Sequence, residues 1–121
     1  MKSIPVKIIF YRTPSGKEPF TEWLNSLKSA RVTALIHTRI GRVRLGNFGD
    51  YKSVGRGVYE LRIHISPGYR VYFGQVENEI VLLLCGGTKG NQRKDILKAH
   101  EYFNDYKEAI REGNETDVQD V

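Results

Sequence analysis

Three ionisable residues at alternate positions, Glu60, Arg62 and His64, are interleaved with Tyr59, Leu61, Ile63 and Ile65. Successive side chains of an extended chain point to opposite faces, so the ionisable three share one face of a strand and the apolar four the other. Arg70 follows just beyond the Ser66-Pro67-Gly68 turn, and a hairpin there brings two guanidiniums onto neighbouring strands. Guanidinium forks match phosphate oxygens bidentately, and such a pair without carboxylates around it suits a phosphodiester better than a structural salt bridge. The competing reading is a solvated face of an antiparallel sheet, with the opposite face on the core. Lys89 lies in Gly86-Gly87-Thr88-Lys89-Gly90, a segment without the spacing of a nucleotide P-loop. It is either an amide nest that favours an anion or simply a tight strand-to-helix turn. RNA is a substrate such cations can act on without a metal. Its 2′-hydroxyl is the nucleophile, and a site needs a base, cations for the pentacoordinate phosphate, and an acid for the 5′-oxygen.

Other reactive residue types are read as structural. His37 is placed mid-helix at the surface, and His100 beside an apolar stripe as a packed or capping histidine. Three dispersed histidines without a carboxylate cluster do not make a metal site. Cys85 ends the apolar run Ile80–Cys85 and belongs to the core. A single cysteine can build neither an intramolecular disulfide nor a thiolate zinc site. Tyr69 and Tyr72 either stack on bases or pack.

The elements that position these residues follow from periodicity. Val6–Tyr11 predicts a strand, closed by Thr13-Pro14-Ser15-Gly16. Pro19 suits a first helical turn, and Phe20, Trp23, Leu24 and Leu27 form one stripe after it. A second helix is expected over Ala30–Leu45, with Val32, Leu35, Ile36, Ile40 and Val43 inward and Gly46 ending it. The glycine-rich stretch 46–57 is expected to be a loop. Strands are predicted at Val58–Ser66, Tyr69–Glu77 and Ile80–Cys85, the last apolar on both faces and therefore central. A last helix is expected over Asn91–Glu112, striped by Ile96, Ala99, Phe103, Tyr106 and Ile110. The order β-α-α-β-β-β-α implies an α+β domain over residues 1–112. It has a small, mostly antiparallel sheet with a helical hairpin on one face. Residues 113–121 are expected to be a mobile acidic tail.

Charge agrees with a polyanionic partner. The 121 residues carry 19 Lys and Arg against 14 Asp and Glu. From Glu108 onward five acids face one base, which leaves 18 bases against 9 acids in residues 1–107. Residues 31–70 alone hold eight bases (Arg31, Arg39, Arg42, Arg44, Lys52, Arg56, Arg62, Arg70) against Asp50 and Glu60. An excess of this kind is the electrostatic footprint of a nucleic-acid binder. No run approaches the roughly 18 apolar residues of a membrane helix. The N-terminus lacks a signal-peptide core, so no membrane partner and a cytoplasmic location are expected.

Several strings, in order, resemble one known family. They are Gly16-Lys17-Glu18-Pro19-Phe20-Thr21-Glu22-Trp23-Leu24, Arg42-Val43-Arg44-Leu45-Gly46-Asn47-Phe48-Gly49-Asp50, Tyr59-Glu60-Leu61-Arg62-Ile63, Pro67-Gly68-Tyr69-Arg70-Val71-Tyr72-Phe73, and Leu82-Leu83-Leu84-Cys85-Gly86-Gly87-Thr88-Lys89 with Gln92. Over about residues 6–106 the chain is similar to the addiction-module killer proteins. These are RelE/HigB-like toxins of type II toxin–antitoxin systems, within the RelE/ParE group. The resemblance implies a RelE/ParE-like fold and a ribosome-dependent endoribonuclease that cuts mRNA without metal or cofactor. It also implies a cognate antitoxin, usually a small DNA-binding protein, through which alone the toxin reaches operator DNA.

By position, Arg62 and Arg70 match the family's phosphate-facing residues, and Lys89 matches the basic residue after the last strand. The two arginines are then expected to stabilise the phosphorane and Lys89 to serve the leaving oxygen. Some relatives place a tyrosine or histidine base near the start of the last helix, where this chain has Gln92, Arg93 and Asp95. His64, Glu60 and Lys52 are the substitutes for the base; Tyr102 and His100 come later in the chain. Arg39, Arg42, Lys52, Arg56, Tyr72 and Gln92 are expected to bind RNA. Two other functions fit the same face: a ParE-like gyrase poison that cuts no RNA, and a non-enzymatic nucleic-acid-binding module.

Overall fold

Lys7–Phe10 forms strand β1, and Pro19–Ser26 forms α1 with its proline in the first turn. Helix α2, Ala30–Arg44, starts at Ser29, whose side chain accepts from the Val32 amide. It stops at Gly46, whose φ of +88° an L-residue rarely adopts. Four further strands follow: β2 (Tyr51–Gly55), β3 (Val58–Ile63), β4 (Tyr69–Val76) and β5 (Ile80–Thr88). A 3-10 turn over Lys89–Asn91 leads into α3, Gln92–Arg111. This computed structural model describes residues 4–113; the acidic tail, from residue 114 on, lies outside the described residues. Among the described residues no helix is long and apolar enough to cross a membrane.

The protein is α+β, with a five-stranded sheet in the order β1-β5-β4-β3-β2. Only β1, at one edge, runs parallel to its neighbour β5; every other pair is antiparallel. The expected element order is therefore corrected by one strand. Residues 51–55 pair with β3 instead of forming a loop, Tyr51 opposite Leu61 and Lys52 opposite Glu60. Of the glycines that suggested a loop, Gly46 and Gly49 precede β2, and Gly55 and Gly57 sit at the turn from β2 to β3, where Gly55, Arg56 and Gly57 all have positive φ.

A second correction concerns the sheet's faces. α1 and α2 share one core with the sheet: Phe20, Leu24, Ile36 and Ile40 pack with Leu61, Phe73 and Leu83. The opposite face was expected to be wet, yet α3 covers much of it. Ala99, Phe103 and Tyr106 pack there with Val58, Tyr72, Leu82 and Leu84. Alternation along β3 is preserved, but Glu60 points under a helix and not into water.

A third correction concerns Gly86 and Gly87, which lie inside β5 and form neither an anion nest nor the turn itself. A Cβ on Gly86 would come within 2.2 Å of the Trp23 ring, and one on Gly87 within 1.9 Å of Asp95 Oδ2. These glycines admit α1 and α3 to close contact with opposite faces of the central strand.

Candidate functional site

α3 leaves one end of its sheet face open, and the cleft lies there. Cross-strand register places Lys52, Glu60 and Tyr72 in one row and Arg62, Arg70 and Gly87 in the next. All these positions share the face that α3 covers. The Ile65–Gly68 turn forms the lip, and the first residue of α3, Gln92, forms part of the roof. The resulting cleft, of about 630 Å³, is lined by Lys52, Arg62, His64, Arg70, Lys89 and Gln92. Residues spread over 41 positions of sequence are thus brought to one depression by three strands, a turn and a helix start.

Its floor is a buried ion network. Glu60 is 0% exposed and Arg70 is 7% exposed. Glu60 Oε1 accepts from Arg62 Nε at 3.1 Å and lies 3.8 Å from Arg70 Nε. Glu60 Oε2 accepts from the Tyr72 hydroxyl at 3.1 Å and from Gln92 Nε2 at 2.6 Å. Burial, and then the Glu60 carboxylate, push the Tyr72 phenol far above its ordinary pKa, so it serves as a neutral donor. Arg70 Nη1 donates to the Tyr69 carbonyl, while Arg70 Nε has no hydrogen-bond partner among the described residues. Four cations therefore face a space with the Glu60 carboxylate beneath them, so Arg62 and Arg70 are not the carboxylate-free pair that the sequence suggests.

At the rim, His64 is 68% exposed and its Nε2 pairs with the Asp50 carboxylate. That contact with the imidazole holds the Asp50 carboxyl below the usual carboxylate range. Asp50 is a site residue that the sequence reading missed, although Lys52 and Arg56 from the same glycine-rich stretch are among its candidates. Its signal was its spacing, two residues before Lys52 on a strand whose partner strand carries Arg62.

The other candidates separate by position. Glu60 is removed from the possible bases, since its oxygens are enclosed and engaged by neighbouring donors. Tyr72 is 0% exposed and offers no ring for a base to stack on. His100 Nε2 meets the Val54 carbonyl and Tyr102 stacks on Tyr11, neither lining the cleft. Arg56 is exposed in the β2–β3 turn, at the other end of β3 from Arg62. Burial pushes the Cys85 thiol up to about 12, as befits a core cysteine.

Arg39 and Arg42, expected to act alike, differ. The Arg39 guanidinium donates to the carbonyls of Arg62, Phe48 and Asp50, the second at 3.0 Å. It ties α2 to β3 and to the segment that carries Asp50, so it is a clamp and not a docking residue. Arg42 is exposed in the last turn of α2. Arg39→Ala is expected to lower stability by about 1.5–3 kcal/mol, the usual loss for hydrogen bonds to a charged donor. Arg42→Ala should stay within about 0.5 kcal/mol. Thermal denaturation of the two variants checks this, and equal melting temperatures would refute the clamp.

The chain is 51% identical over 80 residues to an uncharacterized protein of Haemophilus influenzae, a match covering 66% of this chain and 81% of that protein. No protein-family model matches it.

Proposed function

This chain belongs to the same family as the Haemophilus influenzae protein, and from its own cleft we propose that it is a RelE/HigB-like toxin that cuts RNA by attack of the 2′-hydroxyl. The observation that carries the reading is the convergence of Lys52, Arg62, Arg70 and Lys89 on one open cleft above a single buried carboxylate. Such an array suits the phosphorane, whose charge develops where fixed guanidiniums already point. The α+β fold, with a helical hairpin on one sheet face, is compatible with a RelE/ParE-like architecture.

Among the candidates, His64 is the group best placed to act as base. A ring that donates Nε2–H to Asp50 presents Nδ1 as its free nitrogen, and the carboxylate holds the ring in that orientation. In the proposed step the 2′-hydroxyl proton passes to His64 as the 2′-oxygen bonds to phosphorus. Arg62 and Arg70 hold the non-bridging oxygens. The bond to the 5′-oxygen breaks, and Lys89 gives that oxygen a proton, leaving a 2′,3′-cyclic phosphate and a 5′-hydroxyl. Translating ribosomes would present the mRNA, Arg42 would contact ribosomal RNA, and a cognate antitoxin encoded alongside would neutralise the toxin.

Purified protein added to a translation reaction is expected to produce mRNA breaks in register with codons, with cyclic-phosphate ends. His64→Ala should slow cleavage by about 10²- to 10⁴-fold, the usual contribution of a general base, while RNA binding persists. Intact mRNA with the unaltered protein overturns the nuclease reading. Inhibition of gyrase in a parallel assay would assign the chain to the poison branch instead.

A further inference from the structure

A carboxylate with no exposure, under a site built to attract anions, calls for a reason. Burying a charge is costly, and apolar replacements of buried ion networks are often neutral or stabilising. Here the chain buries Glu60 with donors from three elements: Arg62 on its own strand, Tyr72 on β4 and Gln92 on α3. Arg70 on β4 faces the same oxygen as Arg62, at 3.8 Å. Three of these four neighbours, Arg62, Arg70 and Gln92, also line the cleft. Tyr72 does not line it and is buried beneath.

Resting on the proposed phosphodiester site, we infer that Glu60 is its positioning residue. It is an internal counter-ion that holds two guanidiniums and one amide in the arrangement that receives the phosphate, without touching the RNA. Without it, two neighbouring guanidiniums of like charge would turn apart, and Gln92 would lose the acceptor that fixes the start of α3 over the cleft. Misplacing binding groups by about 1 Å can cost as much as a hundredfold.

Simple charge counting predicts the opposite sign, because removing a negative charge from a basic site should tighten its hold on a polyanion. Glu60→Gln separates the two. The probe is a short single-stranded RNA with methylated 2′-hydroxyls, which can be bound but not cut. The E60Q protein, its fold checked by circular dichroism and melting, is expected to bind this RNA about tenfold to a hundredfold more weakly than the unaltered protein. In an Arg70→Ala background the same change should cost much less, since its effect passes through the arginine. Equal or tighter binding by folded E60Q overturns the assignment. Should E60Q fail to fold, Tyr72→Phe decides. The buried hydroxyl cannot reach RNA, so a severalfold loss supports action through Glu60 and an unchanged affinity refutes it. The nuclease reading fails separately: an unaltered protein that binds the probe but leaves cleavable mRNA intact refutes the chemistry and keeps the role of Glu60. Absence of binding by the unaltered protein overturns the role assigned to Glu60, while the nuclease reading stands or falls with the translation reaction.

Discussion

Arg70→Ala is expected to abolish RNA cleavage and the growth arrest that follows expression of the protein alone. Two losses combine in this one change. The guanidinium, 7% exposed and lining the cleft, is a fixed cation where phosphorane charge develops, and removing one such group costs about 10²- to 10³-fold in rate. Its departure also leaves the fully buried Glu60 with Arg62 as its one remaining cationic partner within 4 Å among the described residues. Breaking a buried pair from one side costs about 3–5 kcal/mol, and the remaining donors keep this case toward the lower end. Arg70→Lys distinguishes the two losses. Lysine keeps the charge that balances Glu60, so stability should largely return. It lacks the planar fork, so cleavage should stay depressed by at least about tenfold. Growth arrest and mRNA cleavage read one effect and thermal melting the other. Full activity in folded R70A would refute the catalytic assignment of the cleft.

How much of this was legible beforehand depended on the range of the interaction involved. Local periodicity carries strands and helices, so β1, α1, α2, β4 and α3 lie close to where their apolar spacing puts them. Alternation along β3 was also right for Glu60 and Arg62, which share one face, while the strand stops at Ile63 and leaves His64 just beyond it. The environment of that face was not legible, because a helix thirty residues later in the chain covers it. That coverage turns Glu60 and Tyr72 from surface groups into a buried pair. β2 was missed for a similar reason. Tyr51–Gly55 is a strand because β3 offers it hydrogen bonds at that register, and neither its exposure nor its glycine-rich flanks announce pairing. Lys52, Arg62, His64, Arg70, Lys89 and Gln92, chosen as chemistry-bearing residues from distant parts of the chain, line one cleft. The clamp by Arg39 could not be foreseen, since its acceptors are backbone carbonyls, which any residue type supplies.

Gly86→Ala is the second change with a large expected effect, and it tests what the paired glycines do. As an anion nest, they would lose RNA affinity on substitution while the fold survived. The packing predicts the reverse. A Cβ at Gly86 would lie 2.2, 2.4 and 2.5 Å from three atoms of the Trp23 ring, distances at which something must move. The indole is rigid and is held by Phe20, with ring centroids 5.9 Å apart, against the core that α1 shares with β5. Either the ring leaves its site and exposes apolar surface, or α1 is pushed off the sheet. Forcing extra volume into such a contact costs about 1–3 kcal/mol and sometimes more, which for a domain of this size lowers Tm by roughly 5–15 °C. Because the clash is with one side chain, it should be relieved by shrinking that side chain. Trp23→Ala alone is destabilising, since it removes a large aromatic contact, but the double variant G86A/W23A should be more stable than the two single losses summed. The melting temperatures of the four proteins give that coupling directly. Additive losses would show that Gly86 is needed for something other than room for Trp23, and weaker RNA binding without a loss of Tm would return the glycines to the anion site.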